Sequence, residues 1–246
     1  MKKLFTLAAL AALCAATAKA ADAPAAAEQA PVAAKQEVKT PAAAPVEITT
    51  TTVMEKLSGW DTKLETLKLS FKQDISFGDT GIASKIAGTV AYQKPDKLRI
   101  EHTTPQRQVV YTDKRIIWIY KPQDAQVVVK ARWEDWLQQQ SGAFAGITDF
   151  GGYTKLLDTH NLKVSEQEKA GTVTATFTPK KDPKSYELKL ILSREDFFPV
   201  AIWLKIDSTI VDTKLEKVEK NIKIPAAELE FTPPQGVTVL ELTGNK

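Results

Sequence analysis

The chain has 246 residues, of which 43% are hydrophobic and 26% are charged, and its 33 Lys and Arg face 30 Asp and Glu. No basic stripe with interleaved aromatic residues appears, so the composition excludes a dominant nucleic-acid-binding surface. A folded part of about 200 residues can bury enough apolar area to be stable without disulfides.

The N-terminus has the pattern of a secretory signal peptide. Lys2 and Lys3 precede an apolar run, and the sequence AKA at residues 18–20 has the small-x-small form of a cleavage site. We expect cleavage after residue 20, with an uncleaved amphipathic anchor as the alternative. Removal of the three lysines of this segment leaves 30 basic and 30 acidic residues, so the mature chain is formally neutral. We therefore predict that this signal peptide directs export of the chain.

The single cysteine lies within the predicted signal peptide. Leu13 precedes Cys14 at the position where a lipoprotein signal has a small residue, so Cys14 is not predicted to carry a lipid. The mature chain would then contain neither a thiol nor a disulfide, which an oxidising compartment permits.

Residues 21–46 are rich in alanine and proline and contain no aromatic residue. Such a segment cannot bury enough apolar surface to offset its ordering entropy, so it is predicted to be a disordered, semi-extended linker. It could be a spacer or tether, or an unselected tail, and both interpretations stay open. The folded domain is predicted to span residues 47–246.

The folded domain begins with a predicted helix and a predicted strand. Residues 48–63 place Val53, Leu57 and Trp60 at helical spacing after threonines that can cap a helix. Residues 67–77, LKLSFKQDISF, alternate apolar and polar side chains, which indicates a strand with one buried face.

Further strands follow with short connections that leave no room for crossover helices, so the sheet is predicted to be antiparallel. Trp133, Trp136 and Leu137 have helical spacing, and residues 153–157 are typical of a second short helix. Strands then resume and include ELEFTP at residues 228–233. About eleven strands in one open sheet would curl, so the fold class is mainly β with α.

One strand is apolar on both faces. In RIIWIYK, residues 115–121, Ile116, Trp118 and Tyr120 point one way, whereas Ile117 and Ile119 point the other. A half-exposed antiparallel strand would alternate apolar and polar residues. The surplus of apolar residues fits either an ordinary sandwich core or a cavity for an apolar ligand under the helices.

No catalytic or metal-binding pattern appears. His102 and His160 are the only histidines, and the chain has no paired cysteines, phosphate-binding loop or nucleophile motif. His102 shares a strand face with Leu98 and Ile100, and we interpret it as a hydrogen-bonded or partly exposed strand residue. We expect no metal, no cofactor and no enzymatic activity.

Several segments, taken together, resemble the periplasmic lipoprotein carrier family LolA. They are LKLSFKQDIS (67–76), GTVAYQKPDKLRIEHTTP (88–105), VVYTDKRIIWIYKPQDAQVVV (109–129) and LEFTPPQGVTV (229–239), the last similar to a C-terminal strand of the family. The resemblance covers most of residues 47–246.

The resemblance implies an incomplete, half-open antiparallel β-barrel of about eleven strands with a lid of short α-helices over a hydrophobic cavity. It implies a monomeric chaperone that binds the acyl chains of lipoprotein cargo and delivers them to the outer membrane. An inner-membrane ABC-type lipoprotein-releasing complex would load it, and an outer-membrane receptor would unload it. A carrier or sensor of another lipid or glycolipid is the alternative.

The chain departs from the family pattern at three positions. Lys94 stands where the family usually has an arginine that reaches backbone carbonyls of the lid, and we expect Lys94 to latch the lid with a single ammonium. Leu98 stands where the family can carry phenylalanine, and Asp113-Lys114 replaces a frequent Asp-Gly turn. The residues predicted to line the lipid cavity are Phe71, Ile75, Leu98, Ile100, Ile116, Trp118, Trp133, Trp136, Phe144, Ile147, Phe150 and Trp203.

Overall fold

The computed structural model describes residues 48–124, 127–139, 150–167 and 171–242. The predicted signal peptide (1–20) and linker (21–46) lie outside the described residues. Two of the predicted cavity residues, Phe144 and Ile147, also lie outside them.

Three α-helices lie in the described part of the chain, and the apolar spacing of the sequence predicted all three. They are α1 (Thr50–Lys63), α2 (Trp133–Gln139) and α3 (Tyr153–Thr159). Helix α1 begins where the side chain of Thr49 accepts a hydrogen bond from the backbone nitrogen of Thr52 at 3.1 Å. It ends at Leu64, whose backbone is extended and whose side chain is fully buried.

The described residues also form twelve strands in one sheet. They are β1 (Thr66–Phe77), β2 (Ile82–Gln93), β3 (Lys97–Thr104), β4 (Gln108–Thr112), β5 (Ile116–Tyr120), β6 (Val127–Arg132), β7 (His160–Gln167), β8 (Thr172–Pro179), β9 (Glu187–Ser193), β10 (Pro199–Ile206), β11 (Thr209–Lys220) and β12 (Thr238–Leu242). Their spatial order is β12-β6-β5-β4-β3-β2-β1-β11-β10-β9-β8-β7. The sheet is open, because β12 and β7 at its two ends do not pair with each other. The predicted fold class, mainly β with few helices, is confirmed.

The prediction of a purely antiparallel sheet is wrong at one strand. Among the described strands, β12 pairs with β6 in parallel, with Leu240 opposite Val129. The other neighbouring strands pair antiparallel. Most of these pairs are joined by short connections, whereas β1 and β11 are distant along the chain. The long segment that leads into β12 crosses the sheet first, so β12 runs in the same direction as β6.

The predicted strand at residues 228–233 is also wrong. The structure has a 3-10 turn at Ala226–Leu229 and no regular strand until β12. Pro233 and Pro234 follow this turn. Proline has no backbone N–H to donate to a sheet ladder, so the two prolines disfavour a paired strand there.

The sheet has two faces, which the register of the strands defines. We call the face that carries Leu69 and Phe71 of β1 the inner face and the opposite one the outer face. One inner-face row crosses the sheet from β1 to β5, and another crosses it from β1 to β8. In order, the first row is Leu69, Val90, Ile100, Val110 and Ile119, and the second is Ile75, Val211, Leu204, Leu188 and Phe177.

Candidate lipid-binding site

All three helices bury apolar side chains against the inner face. Helices α1 and α3 pack over β8, β9 and β10, where Val53, Leu57 and Leu156 meet Phe177 and other core residues of the sheet. Exclusion of these side chains from water holds both helices on the sheet, at roughly 25 cal/mol for each Å² of apolar surface buried.

Helix α2 packs over the other half of the inner face. The rings of Trp133 and Trp136 stack with their centroids 5.3 Å apart and their planes at 22°. Trp136 is buried in a cluster with Val110, Ile117 and Ala131, and Trp133 lies against the same cluster. The predicted cavity residues Trp133 and Trp136 therefore lie on the inner face.

A third apolar cluster lies between the two helix-covered halves. It contains the predicted residues Phe71, Ile75 and Leu98, all buried, while Ile100 and Phe150 pack against it. The Phe150 ring lies 6.1 Å from the Tyr92 ring. The structure thus places seven of the predicted cavity residues on or against the inner face: Phe71, Ile75, Leu98, Ile100, Trp133, Trp136 and Phe150.

Gly88 allows the Phe71 ring to lie close to the backbone of β2. A Cβ atom at Gly88 would lie 2.8 Å from Cζ of Phe71 and 2.4 Å from the backbone oxygen of Glu101. Glycine is therefore required at this position by close approach, and the ring of Phe71 fills the space that a side chain would take.

The structure does not bring Ile116, Trp118 and Trp203 to the inner face. Trp203 pairs across the sheet with Lys189 and Asp212, and the Lys189 ammonium lies 4.1 Å from the Trp203 ring centroid. These residues were predicted to line the cavity, but they lie on the opposite face of the sheet. Side chains alternate along a strand, so a one-residue difference in register moves each of them to the other face.

The outer face of β5 is covered by the segment that leads into β12. The Phe231 ring lies 5.8 Å from Trp118 and 6.0 Å from Tyr120. Leu229 is fully buried, and Glu228 pairs with Lys68 of β1 at 2.8 Å. This strap, residues 221–237, explains why β5 is apolar on both faces: α2 covers one and the strap covers the other.

Lys94 joins the β2–β3 hairpin to α1. Its ammonium donates a hydrogen bond of 2.9 Å to the backbone oxygen of Asp61 and lies 3.6 Å from the carboxylate of Glu65. The carboxylate of Asp61 accepts hydrogen bonds from the backbone nitrogens of Tyr153 and Thr154, each at 2.7 Å. One short polar chain therefore links the hairpin, α1 and the first turn of α3.

A second set of polar contacts joins α1 to the β9–β10 turn. Trp60 donates a hydrogen bond of 3.1 Å to the backbone oxygen of Asp196, and the Asp196 carboxylate pairs with Lys220. The Lys220 ammonium also lies 5.1 Å from the Trp60 ring centroid. Burial acts to raise the pKa of Asp196, but hydrogen bonds from Lys220 and the backbone outweigh burial and lower it.

Polar side chains also lie on the inner face. Gln73 donates a hydrogen bond of 2.9 Å to Thr213. His102 is 9% exposed and lies in β3, and no hydrogen bond to its imidazole is found among the described residues. It is therefore a strand residue with slight exposure rather than a hydrogen-bonded one. Burial lowers the pKa of His102. In the part of the chain that the structure describes, no group of three or more His, Cys, Asp or Glu residues could hold a metal ion.

Sequence reasoning missed several inner-face residues. Val90, Tyr92, Val110 and Ile117 are buried there. Alternation along SKIAGTVAYQK would have found Val90 and Tyr92, since both share the parity of Ile86. No helix within the described ranges is long and apolar enough to cross a membrane.

Comparisons with known proteins agree with this architecture. Residues 62–232 match the family described as outer membrane lipoprotein carrier protein LolA. The outer-membrane lipoprotein carrier protein of Legionella pneumophila (strain Lens) is 27% identical over 197 residues, which cover 79% of this chain and 93% of that protein. The protein of the same name from Dechloromonas aromatica (strain RCB) is 30% identical over 176 residues, which cover 71% of this chain and 81% of that protein.

Among solved structures, an uncharacterized conserved protein from Thermus thermophilus superimposes with a TM-score of 0.50 at 9% identity. The match covers 78% of this chain and 98% of that chain, and it shows the fold alone.

The open sheet and the helices packed on its apolar inner face define a mainly β protein with a helix-covered apolar face. The chain belongs to the LolA family of outer membrane lipoprotein carrier proteins, a non-enzymatic carrier family, as the sequence resemblance predicted.

Proposed function

We propose that this protein is a periplasmic carrier that binds the acyl chains of lipoproteins on its inner face and delivers them to the outer membrane. The observation that carries the proposal is that three separate helices cover one apolar face of an unclosed sheet. Each methylene of an acyl chain contributes about 0.8 kcal/mol when it leaves water, so a lipid anchor gains much by replacing helix contacts on that face. The protein itself performs no chemistry in this scheme.

The helices are held by polar contacts that can be broken and remade. Lys94 donates to α1 at Asp61, and Asp61 accepts from α3, so we propose that Lys94 is the latch that keeps α1 and α3 on the sheet. A lysine donates from a flexible stem without the fork of a guanidinium. The latch can therefore open at modest free-energy cost, and loading and release become two states of one hinge.

The remaining parts of the scheme are further proposals. The chain would reach the periplasm by cleavage after residue 20, and residues 21–46 would link the N-terminus to the folded domain. An ATP-driven complex of the inner membrane would load the carrier, and a receptor of the outer membrane would accept the cargo. The carrier would act as a monomer.

A lipoprotein-release assay tests the proposal. Spheroplasts of a Gram-negative host with its own transporter are incubated with residues 21–246, and the soluble fraction is probed for a triacylated lipoprotein bound one-to-one to the carrier. Ile100→Glu and Ile116→Glu form a matched pair, because both isoleucines are partly buried on neighbouring parts of the sheet but lie on opposite faces. The inner-face variant Ile100→Glu should lose release, and the outer-face variant should retain it.

The absence of any soluble complex would count against lipoprotein carriage. If the protein nonetheless bound a hydrophobic dye that a lipid extract displaced, the inner face would still be a lipid site, with a different cargo.

A further inference from the structure

Two polar residues face each other within the apolar inner face. His102 of β3 and Gln108 of β4 are register partners, and they are 9% and 7% exposed. On the other side of His102, the Phe71 ring approaches with its edge, at 5.9 Å between centroids and 77° between planes. The next inner-face pair along the same two strands is Ile100 and Val110, so the polar pair borders apolar surface.

The side-chain nitrogen of Gln108 is buried and has no hydrogen-bond partner among the described residues. Buried polar groups in proteins are almost always hydrogen-bonded, so a buried amide N–H without an acceptor is unusual and calls for an explanation. The other inner-face glutamine shows the contrast, because Gln73 donates to Thr213 at 2.9 Å. Gln108 therefore holds buried N–H donors that lack an acceptor in this arrangement of the side chains.

His102 offers a second donor of the same kind. Because burial lowers its pKa, the imidazole is neutral at physiological pH. A neutral imidazole has one N–H donor and one acceptor nitrogen, and it carries no charge that would favour a phosphate or carboxylate. The pair thus suits a neutral group that accepts hydrogen bonds and is attached to an apolar body.

We propose that Gln108 and His102 form a polar subsite that binds a carbonyl oxygen at the ester or amide linkage of a bound acyl chain. Each acyl chain begins at such a carbonyl, which accepts hydrogen bonds, and continues as methylenes that suit Ile100 and Val110. This inference rests on the proposed carrier function and deepens it, because it assigns the inner face a group that recognises the linkage. The carboxylate oxygens of a free fatty acid also accept hydrogen bonds. The experiment distinguishes a free fatty acid from an ester-linked acyl chain.

The test compares two synthetic lipopeptides in binding to residues 21–246. One carries an S-diacylglyceryl cysteine with ester linkages, and the other has the same chain lengths with ether linkages, which lack the carbonyl. We expect the wild type to bind the ester about five- to tenfold more tightly, as one buried hydrogen bond would provide. Gln108→Met keeps the size of the side chain and removes one of the two donors, so the ratio should fall below that of the wild type. Gln73→Met is the matched control and should keep the wild-type ratio.

The following outcomes would contradict the proposed subsite. A wild-type ratio of one, or a ratio unchanged in Gln108→Met, would show that Gln108 and His102 do not recognise the ester linkage. If Gln108→Met weakened palmitate binding but not the binding of the ester, the site would serve free fatty acids instead. If the wild type bound neither lipopeptide, the carrier function itself would fail, which is a different result from equal binding of both.

Thermal unfolding shows whether Gln108→Met is folded. If it is not, His102→Phe replaces it, and the ratio is expected to fall in the same way.

Discussion

The ammonium of Lys94 lies 2.9 Å from the backbone oxygen of Asp61, close to the end of α1. The contact joins a hairpin of the sheet to a helix that packs on the inner face. Since the carboxylate of the same Asp61 accepts hydrogen bonds at the start of α3, Asp61 connects both helices to the hairpin.

Replacement of Lys94 by methionine removes the donor and keeps the aliphatic stem. A single hydrogen bond contributes about 0.5–1.5 kcal/mol, so the open arrangement of α1 should become roughly two- to tenfold more populated. We expect the cargo-free variant to bind more of a hydrophobic fluorescent dye. Lys94→Arg retains a donor and serves as the control, and equal dye binding by wild type and Lys94→Met would rule out the latch.

Asp61→Ala should release α3 from α1. The substitution leaves the backbone nitrogens of Tyr153 and Thr154 without their acceptor, at an expected cost of about 1–2 kcal/mol in the free energy of unfolding. Hydrogen exchange of those two amides should accelerate more than that of amides in β9. Slow exchange at both positions in the variant would contradict the assigned role of Asp61.

Leu229→Ala tests the strap. Leu229 is fully buried on the outer face, and a leucine truncated in such a place usually costs about 2–5 kcal/mol. Denaturant unfolding should show this loss, while Leu240→Ala on β12, where the leucine is 49% exposed, should change stability by less than about 0.5 kcal/mol. Similar stability of the two variants would mean that the strap does not hold the sheet.

The ion pair between Asp196 and Lys220 should make the attachment of α1 sensitive to acid. The folded state lowers the pKa of Asp196, so its contribution is fully present above the ordinary aspartate value of 3.8 and is lost as the pH falls from there through the lowered value. In Asp196→Asn, the stability should depend less steeply on pH below 3.8 than in the wild type. Unfolding curves from about pH 2 to 6 measure this, and parallel curves for the two proteins below pH 3.8 would refute the assignment.

Strict alternation made much of the site predictable. Phe71, Ile75 and Leu98 lie in strands whose apolar and polar residues alternate, so their shared face follows from the sequence. The helical spacing of Trp133 and Trp136 likewise identified α2.

Other parts needed the structure because they depend on long-range pairing. Trp118 and Trp203 are large and apolar, which indicates burial but not the face of the sheet. The partner of Trp118 is Phe231, more than a hundred residues away along the chain, and nothing in either segment specifies that contact. Gln108 lies in a predicted strand, but its polar side chain gives no sign that it is buried on the inner face.

The most direct test of lipid binding on the inner face is photo-crosslinking with a lipopeptide whose acyl chain carries a diazirine. After irradiation with residues 21–246, peptide mass spectrometry locates the labelled residues. We expect label on Phe71, Leu98, Ile100 and the Trp133–Trp136 segment, and no label on Trp203. Label concentrated on Trp203 and its outer-face neighbours, with none on the inner-face residues, would contradict this expectation.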